Sequence, residues 1–303
     1  SLIVHRDQAY YRGRELAKKL KEMIPEFVRQ TEKFISESGP EPFFLYFALT
    51  SPHTPVVPNE EFIGTSGAGK YGDFVCEVDW VVGRVMEMLE RKGITDNTLL
   101  IFTSDNGPEP SKAAAGGTYE HARIFSHYSM AYLRGVKRDT WEGGHRVPFI
   151  ARWPNVTPAG CTCDQLVSLG DLTATCAELL GVELNEQEAE DSVSILPLLQ
   201  GDTETSVRES IVHHSASGEF AIRKGRWVYI EAESGDDNKE PEWFKQERGY
   251  VDDDYPGELF DLHEDISERR NLYGEYPEVV RELSALLEEV RGTNQCQKYN
   301  KKG

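Results

Sequence analysis

Between Leu99 and Arg152 the chain collects side chains suited to one kind of chemistry, the holding of an oxyanion against a hard metal ion. An apolar run ends in Ser104-Asp105-Asn106-Gly107-Pro108, which sets a carboxylate and an amide oxygen side by side. Both are suitable ligands for Ca²⁺ or Mg²⁺. Gly135-Val136-Lys137 follows, and then Trp141-Glu142-Gly143-Gly144-His145-Arg146-Val147-Pro148. The lysine supplies a positive charge, and the glycines let backbone approach backbone. Upstream, His53 stands in Ser51-Pro52-His53-Thr54-Pro55, where an imidazole could protonate a leaving oxygen near neutral pH. Each piece has a plainer reading, since Asp-Asn-Gly is a favoured turn sequence and a lone histidine often fills one. Their succession, with Asp105 and Asn106 after a buried strand, argues for a site.

Charge points the same way. The 303 residues carry a net charge of -19, yet Arg123, Arg134, Lys137, Arg138, Arg146 and Arg152 fall between His121 and Arg152 with His121, His127 and His145, against only Asp139 and Glu142. A basic island in an acidic protein suggests an anionic ligand, unless those cations pair with acids elsewhere. The acidic balance argues against nucleic acid as a partner. No apolar run approaches the roughly 20 residues that span a bilayer. Cys76, Cys161, Cys163, Cys176 and Cys296 cannot all pair, and Cys161-Thr162-Cys163 lacks the spacing of a zinc or redox motif, so these read as thiols. Asn155-Val156-Thr157 is a glycosylation sequon. The chain opens on Ser1 without Met, and Leu2-Ile3-Val4 already resembles a strand, as expected for a fragment or a processed product.

The elements that must position these residues follow from periodicity. Helical spacing from Arg14 aligns Leu16, Leu20, Met23 and Ile24; Pro25 is expected to break or restart the helix, which Phe27, Thr31, Phe34 and Ile35 continue to Ser38. Phe43 to Leu49 is a continuous apolar run of strand length, expected to be a central strand covered on both faces, with His53 beyond its end. Tyr71 to Arg91 repeats Val75, Val78, Val82, Val85, Met86 and Leu89 at helical spacing, and Gly93 ends it. Thr98 to Phe102 and Val147 to Ala151 read as further strands. Strand, helix, strand predicts a parallel α/β sheet, which binds ligands outside the carboxyl ends of its strands. His53, Asp105, Asn106 and Lys137 are therefore expected to converge on one pocket. Leu172 to Leu180 reads as a helix closed by Gly181, and Ile195 to Gly201 as an apolar plug. From Arg208 the composition changes to short alternating segments, Ser210 to His213, Phe220 to Arg223, Arg226 to Glu231 and Glu258 to Leu262, which predict an antiparallel sheet. The acidic insertion from Ser234 to Gly257 is too long for a hairpin loop and reads as a mobile lid. A last helix, Pro277 to Arg291, carries an apolar stripe of Val279, Val280, Leu283, Leu286, Leu287 and Val290 that needs a partner surface. The expected division is residues 1–205 and 206–303.

Ser-Pro-His-Thr-Pro, Thr-Ser-Asp-Asn-Gly-Pro, and a lysine five residues before Glu-Gly-Gly-His-Arg-Val-Pro together resemble the later motifs of the sulfatases, in particular the arylsulfatase A type. Tyr71-Gly72-Asp73-Phe74-Val75, Val78-Asp79-Trp80-Val81-Val82-Gly83, Phe149-Ile150-Ala151-Arg152-Trp153-Pro154, and Glu258-Leu259-Phe260-Asp261-Leu262 followed by Glu268 and Asn271-Leu272 extend the likeness over nearly the whole chain. Ala174 departs from it, since the helix start after Asp171 commonly carries proline in that family. The resemblance implies an alkaline-phosphatase-like α/β fold, a mixed or parallel sheet flanked by helices, with a smaller C-terminal antiparallel α+β subdomain. It implies hydrolysis of sulfate esters, with Ca²⁺ rather than Mg²⁺ as cofactor and a formylglycine nucleophile made from Cys or Ser in Cys/Ser-X-Pro-X-Arg. On the matching positions, Asp105 and Asn106 would be metal ligands, Lys137 would bind the sulfate and its bridging oxygen, and His53 would help protonate the leaving group.

No cysteine here has proline two positions later, and Ser38-Gly39-Pro40-Glu41-Pro42 lacks the arginine. The family's N-terminal Asp-Asp metal pair and its first catalytic Lys and His also have no counterpart. The chain is thus expected to be the C-terminal part of a sulfatase without the nucleophile segment. By itself it should not turn over an aryl sulfate, should bind metal weakly, and should associate through open strand edges. The implied partner is a sulfated small molecule or carbohydrate, and the family suggests a secreted, periplasmic or lysosomal setting. Two alternatives stay open: a phosphodiesterase or phosphonate hydrolase of the same superfamily, and a non-catalytic module that binds sulfated glycans through the basic island.

Overall fold

A computed structural model describes residues 13–110, 117–185 and 187–293. Leu2-Ile3-Val4, the side chain of Leu16 and Cys296 lie outside that description. The chain divides into two compact units, Ser1–Thr95 with Ser111–Gly117 and Arg123–His127, and Asp96–Pro110 with Thr118–Ala122 and Tyr128–Gly303. No helix among the described residues is long and apolar enough to cross a membrane.

In the first unit, helix α1 (Gly13–Glu37) packs against helix α2 (Gly69–Lys92). Contrary to the expected break, α1 runs through Pro25 without interruption. Proline forfeits one backbone hydrogen bond, but it is exposed here, while Ile24, Val28, Thr31 and Ile35 keep one buried face on both sides of it. Packing therefore outweighs the missing bond. Helix α2 buries Phe74, Val78, Val81, Val85, Met88 and Leu89, a face rotated from the expected stripe so that Val75 and Met86 are exposed. Gly93 ends it at φ 72, the left-handed cap that glycine adopts without strain. At the same end Lys92 donates to the carbonyls of Ser36 (3.0 Å) and Ser38 (2.6 Å), and so caps α1.

Phe43 to Leu49 is extended, yet it is not a strand and is not covered on both faces. Phe43 meets Phe34 edge-on at 5.4 Å and Phe47 meets Phe27 at 6.5 Å, so one side of the segment lies on α1. The other side presents Phe44 and Tyr46, which are 77% and 80% exposed. Strand status requires a hydrogen-bonded neighbour, and none is paired with this segment among the described residues.

The second unit is built on two sheets. Strand β1 (Leu100–Thr103) pairs with β2 (Phe149–Arg152), and the pairing is antiparallel, Leu100 facing Arg152 and Thr103 facing Phe149. The parallel order expected from strand, helix, strand needed Phe43 to Leu49 as its first strand; that segment pairs with no strand among the described residues, and β1 takes the antiparallel β2 as its neighbour instead. Between them lie α3 (Gly117–Phe125) and the one-turn α4 (Glu142–His145). After β2 come α5 (Asp171–Leu179) and α6 (Leu196–Leu199). The apolar plug packs as expected, Ile195, Leu198 and Leu199 sitting against Leu99, Phe149 and Ala151. Ala174 has a local reason, because its backbone N–H donates to Ser192 Oγ at 2.9 Å, a bond proline cannot make.

The second sheet, β3 (Ser210–His214), β4 (Phe220–Lys224), β5 (Trp227–Ile230) and β6 (Glu258–Asp261), is antiparallel in sequence order. Its period of two separates two cores. Ala221, Val228, Ile230 and Phe260 pack with Trp141, whereas Ile222, Tyr229 and Leu259 pack with Val280, Leu283 and Leu287 of α8 (Pro277–Thr293). The stripe of the last helix thereby has its partner. The insertion between β5 and β6 is not a free lid. It contains α7 (Glu242–Arg248), and its Phe244 and Tyr250 are buried among Tyr119, Ala122, Met130 and Val136.

Candidate active site

Antiparallel pairing puts the end of β1 beside the start of β2. The loop after Thr103, with Asp105 and Asn106, and the segment before Phe149, with Lys137 and the Glu-Gly-Gly turn, therefore leave the same end of one ribbon. Two backbone bonds join them: Gly107 N–H donates to Gly144 O at 2.9 Å, and Lys137 N–H to Pro108 O at 2.9 Å. The glycines make this approach possible. A Cβ on Gly107 would stand 1.9 Å from Gly143 O, one on Gly143 2.2 Å from Gly135 O, and one on Gly144 2.3 Å from Asp139 O. A side chain at Gly107 would push the two segments apart, and one at Gly143 or Gly144 would collide with the backbone of its own segment.

Asp105 is exposed and Asn106 half-buried. Asn106 Nδ2 donates to Gly107 O at 2.9 Å, which assigns the amide nitrogen and leaves Oδ1 as the side chain's acceptor. Among the described residues no group of three or more His, Cys, Asp or Glu is arranged to hold a metal ion. A carboxylate and an amide oxygen on one loop fit a hard cation in chemical type and supply part of a ligand set.

Lys137 is held at both ends. Its ammonium lies 3.8 Å from Glu109 Oε2, and its carbonyl accepts from Asn238 Nδ2 at 2.8 Å. Next to it, Arg138 has φ 90 and grips the same Glu109 through two nitrogens at 3.3 and 2.7 Å, while its Nε donates to Asn238 Oδ1 at 3.0 Å. The hydrogen-bonded Glu109 carboxylate pushes the Arg138 guanidinium above its ordinary range. Asp139 accepts from Val136 N (2.8 Å), Asp237 N (2.9 Å) and Asn238 Nδ2 (2.6 Å), yet burial pushes it up to about 6.

Behind this loop Arg134 is buried between Trp141 (3.7 Å to the ring centre) and Tyr250 (4.4 Å). Glu240 stands 3.6 Å and Glu258 3.9 Å from it, and it donates to Glu268 O at 3.1 Å. Desolvation raises Glu240 and Glu258 to about 7 and Glu268 well above the carboxylate range, the last reinforced by the nearby charge of Glu142. Glu142 itself is buried and ties Arg146 (3.0 Å) to Arg223 (3.2 Å). His145 and His213 stack at 3.8 Å and both donate to Thr140 O; burial lowers them to about 4 and about 3, so they are neutral at pH 7.

The basic island is therefore largely self-neutralised, with Arg134, Lys137, Arg138 and Arg146 each beside a carboxylate. His53 belongs to the first unit, where it is exposed and its Nδ1 donates to Thr54 O at 2.8 Å, which leaves Nε2 as the position for acid–base work. Asp105, Asn106 and Lys137 all belong to the second unit. Sequence reasoning missed Glu109 and Asn238. A glutamate two residues after Gly107 was at least on the motif loop, whereas nothing marked an asparagine inside an acidic insertion.

The Sulfatase family model matches residues 6–182, and the model for the C-terminal part of N-sulphoglucosamine sulphohydrolase matches residues 136–293. The N-acetylgalactosamine-6-O-sulfatase of Bacteroides thetaiotaomicron is 42% identical over 263 residues, covering 86% of this chain and 50% of that protein. A solved structure from work on the metabolism of multiple glycosaminoglycans by Bacteroides thetaiotaomicron superposes with a TM-score of 0.77 at 38% identity, covering 90% of this chain and 55% of the other. Ps i-CgsB in complex with k-i-k-neocarrahexaose gives a TM-score of 0.70 at 26% identity over 91% and 56% of the two chains. The chain spans about half the length of each of these relatives.

Proposed function

The chain belongs to the sulfatase family, and on that premise we propose that it carries the metal- and sulfate-binding half of a sulfate ester hydrolase acting on a sulfated carbohydrate. Its architecture is the alkaline-phosphatase-like α/β fold of the sulfatase structures it matches. One observation carries the proposal: the Asp105-Asn106 loop and the Lys137 loop are stitched together by backbone at one end of the β1–β2 ribbon.

Asp105 and Asn106 would hold Ca²⁺, which polarises sulfate oxygens when bound. The remaining work falls to this chain's own side chains. Lys137 offers its ammonium to a sulfate oxygen, with Glu109 compensating its charge when no anion is present. His53, with Nδ1 committed to Thr54 O, would deliver a proton from Nε2 to the leaving oxygen. The substrate class follows from the relatives, one named for an amino-sugar 6-O-sulfate and one solved with a carrageenan oligosaccharide. The pairing of the basic island with carboxylates speaks against the alternative of a glycan-binding module that works by free positive charge.

The test joins this chain to an N-terminal sulfatase segment carrying a formylglycine and assays paired sulfate and phosphate esters with Ca²⁺. Sulfate ester turnover is expected, falling about 100-fold or more in Lys137→Ala and in His53→Ala. Preference for the phosphate ester, or undiminished turnover in Lys137→Ala, would overturn the proposal.

A further inference from the structure

We infer that Glu109 and Asn238 are positioning residues for Lys137, the carboxylate fixing its ammonium and the amide fixing its backbone. This rests on the reading of Lys137 as the sulfate ligand, and adds what aims it. A lysine side chain has four rotatable bonds and loses much of its entropy when held, so a lysine that must meet an anion at one place benefits from being held beforehand. Two independent clamps do this here. Glu109 reaches the ammonium at 3.8 Å while its own orientation is set by the two-point grip of Arg138. Asn238 satisfies three partners at once, donating to Lys137 O and Asp139 Oδ1 and accepting from Arg138 Nε.

The second clamp gives the acidic insertion a purpose. Asn238 is held in turn because its own N–H donates to Asp236 Oδ1 at 2.9 Å, and Asp237 N–H donates to Asp139 Oδ1. Behind it, Phe244 and Tyr250 anchor the insertion in the core that also contains Val136, the residue before Lys137. The insertion thus acts as a strap across the Lys137 segment. Arg138, at φ 90, is in a backbone region that is strained for a non-glycine residue, so the segment needs such an outside hold. The charge arithmetic also suits an anion site. The Lys137 ammonium carries three N–H donors, so it can meet a sulfate oxygen with Glu109 still beside it, and Arg138 balances the charge of that carboxylate.

The experiment uses the 303-residue chain with its lysines ¹³C-dimethylated, which preserves their positive charge and gives each a methyl resonance. Loss in Lys137→Arg identifies the Lys137 signal, and inorganic sulfate is the titrant. In the parent chain the Lys137 signal should be displaced from those of the exposed lysines and should move with sulfate. In Glu109→Gln its displacement should fall by at least half, and Glu109→Asp should restore part of it, while the Lys224 and Lys245 signals stay put. Asn238→Ala should raise the sulfate midpoint about fivefold. A Lys137 signal unchanged in Glu109→Gln, or a midpoint within twofold of the parent in Asn238→Ala, overturns the inference. If Glu109→Gln does not fold, Asn238→Ala decides by the same midpoint. A Lys137 signal that ignores sulfate in the parent contradicts the sulfate role itself and is distinguishable, because the effect of Glu109→Gln is read without sulfate.

Discussion

Backbone contact between Gly107 and the Glu-Gly-Gly turn fixes the candidate site at the level of single residues, and it is open to direct test. Gly107→Ala would place a methyl 1.9 Å from Gly143 O, backbone facing backbone with no flexible end to give way. A loss of about 3 kcal/mol is expected in denaturant unfolding. Gly83→Ala is the control, since an added Cβ there meets nothing within 4 Å and an exposed helical glycine gives up to about 1 kcal/mol when replaced by alanine. Equal effects from the two would remove the packing argument. At this scale the sequence was legible where chemistry is carried by residue type. Asp105, Asn106 and Lys137 announced themselves as ligand oxygens and a cation on motif loops. Glu109 and Asn238 did not, because a partner becomes recognisable only when folding brings it near, Arg138 finding Glu109 across 29 positions and Lys137 finding Asn238 across 101.

At the level of elements, periodicity located most helices and strands to within a residue or two, since burial of one face imposes a spacing whatever the neighbour is. It was silent on pairing. The parallel order was expected from the order of elements alone, and the continuous apolar run of Phe43 to Leu49 reads as a strand although that segment lies on α1 with no strand partner among the described residues. The insertion misled for another reason, because two aromatic residues, Phe244 and Tyr250, anchor a segment whose other side chains are mostly polar. Its attachment should depend on pH. Glu240 is buried and raised from 4.5 to about 7, so the stability it contributes is full below 4.5 and is lost as pH rises to about 7. Glu240→Gln keeps the shape of the neutral acid. It should match the parent near pH 5 and exceed it by about 2 kcal/mol at pH 8 in thermal or denaturant unfolding. His145 and His213 act in the opposite sense, their contribution present above 6.5 and lost as pH falls toward about 4 and about 3. A gap between Glu240→Gln and the parent that stays constant from pH 5 to pH 8 would contradict the placement of Glu240.

For the molecule as a whole, a net charge of -19 does not balance the interior charges, which are satisfied one by one. The Asp171–Arg208 pair is the plainest case, with side chains 0% and 4% exposed. Asp171 also accepts from Ser168 N (2.7 Å) and Val193 N (2.9 Å), and so gathers the start of α5 and the approach to α6 around one carboxylate. Asp171→Ala should cost about 3–5 kcal/mol, because it strands the Arg208 guanidinium in the interior. The double variant Asp171→Ala/Arg208→Met should recover part of that, and its failure to do so would mean that the backbone bonds, not the pair, account for the loss.

The central claim is that Asp105, Asn106 and Lys137 make one site rather than two neighbouring loops, and calcium–sulfate linkage measures this in the chain as it stands. Sulfate affinity is titrated at rising Ca²⁺, and Ca²⁺ affinity at rising sulfate, in the parent, Asp105→Asn and Lys137→Ala. One shared site requires each ligand to strengthen the other by the same factor, about tenfold, since binding linkage is reciprocal. That coupling should vanish in Asp105→Asn although the lysine remains, and Lys137→Ala should weaken sulfate binding about tenfold at every Ca²⁺ level although the carboxylate remains. Equal sulfate affinity with and without Ca²⁺ in the parent, or sulfate affinity unchanged in Lys137→Ala, would contradict the account.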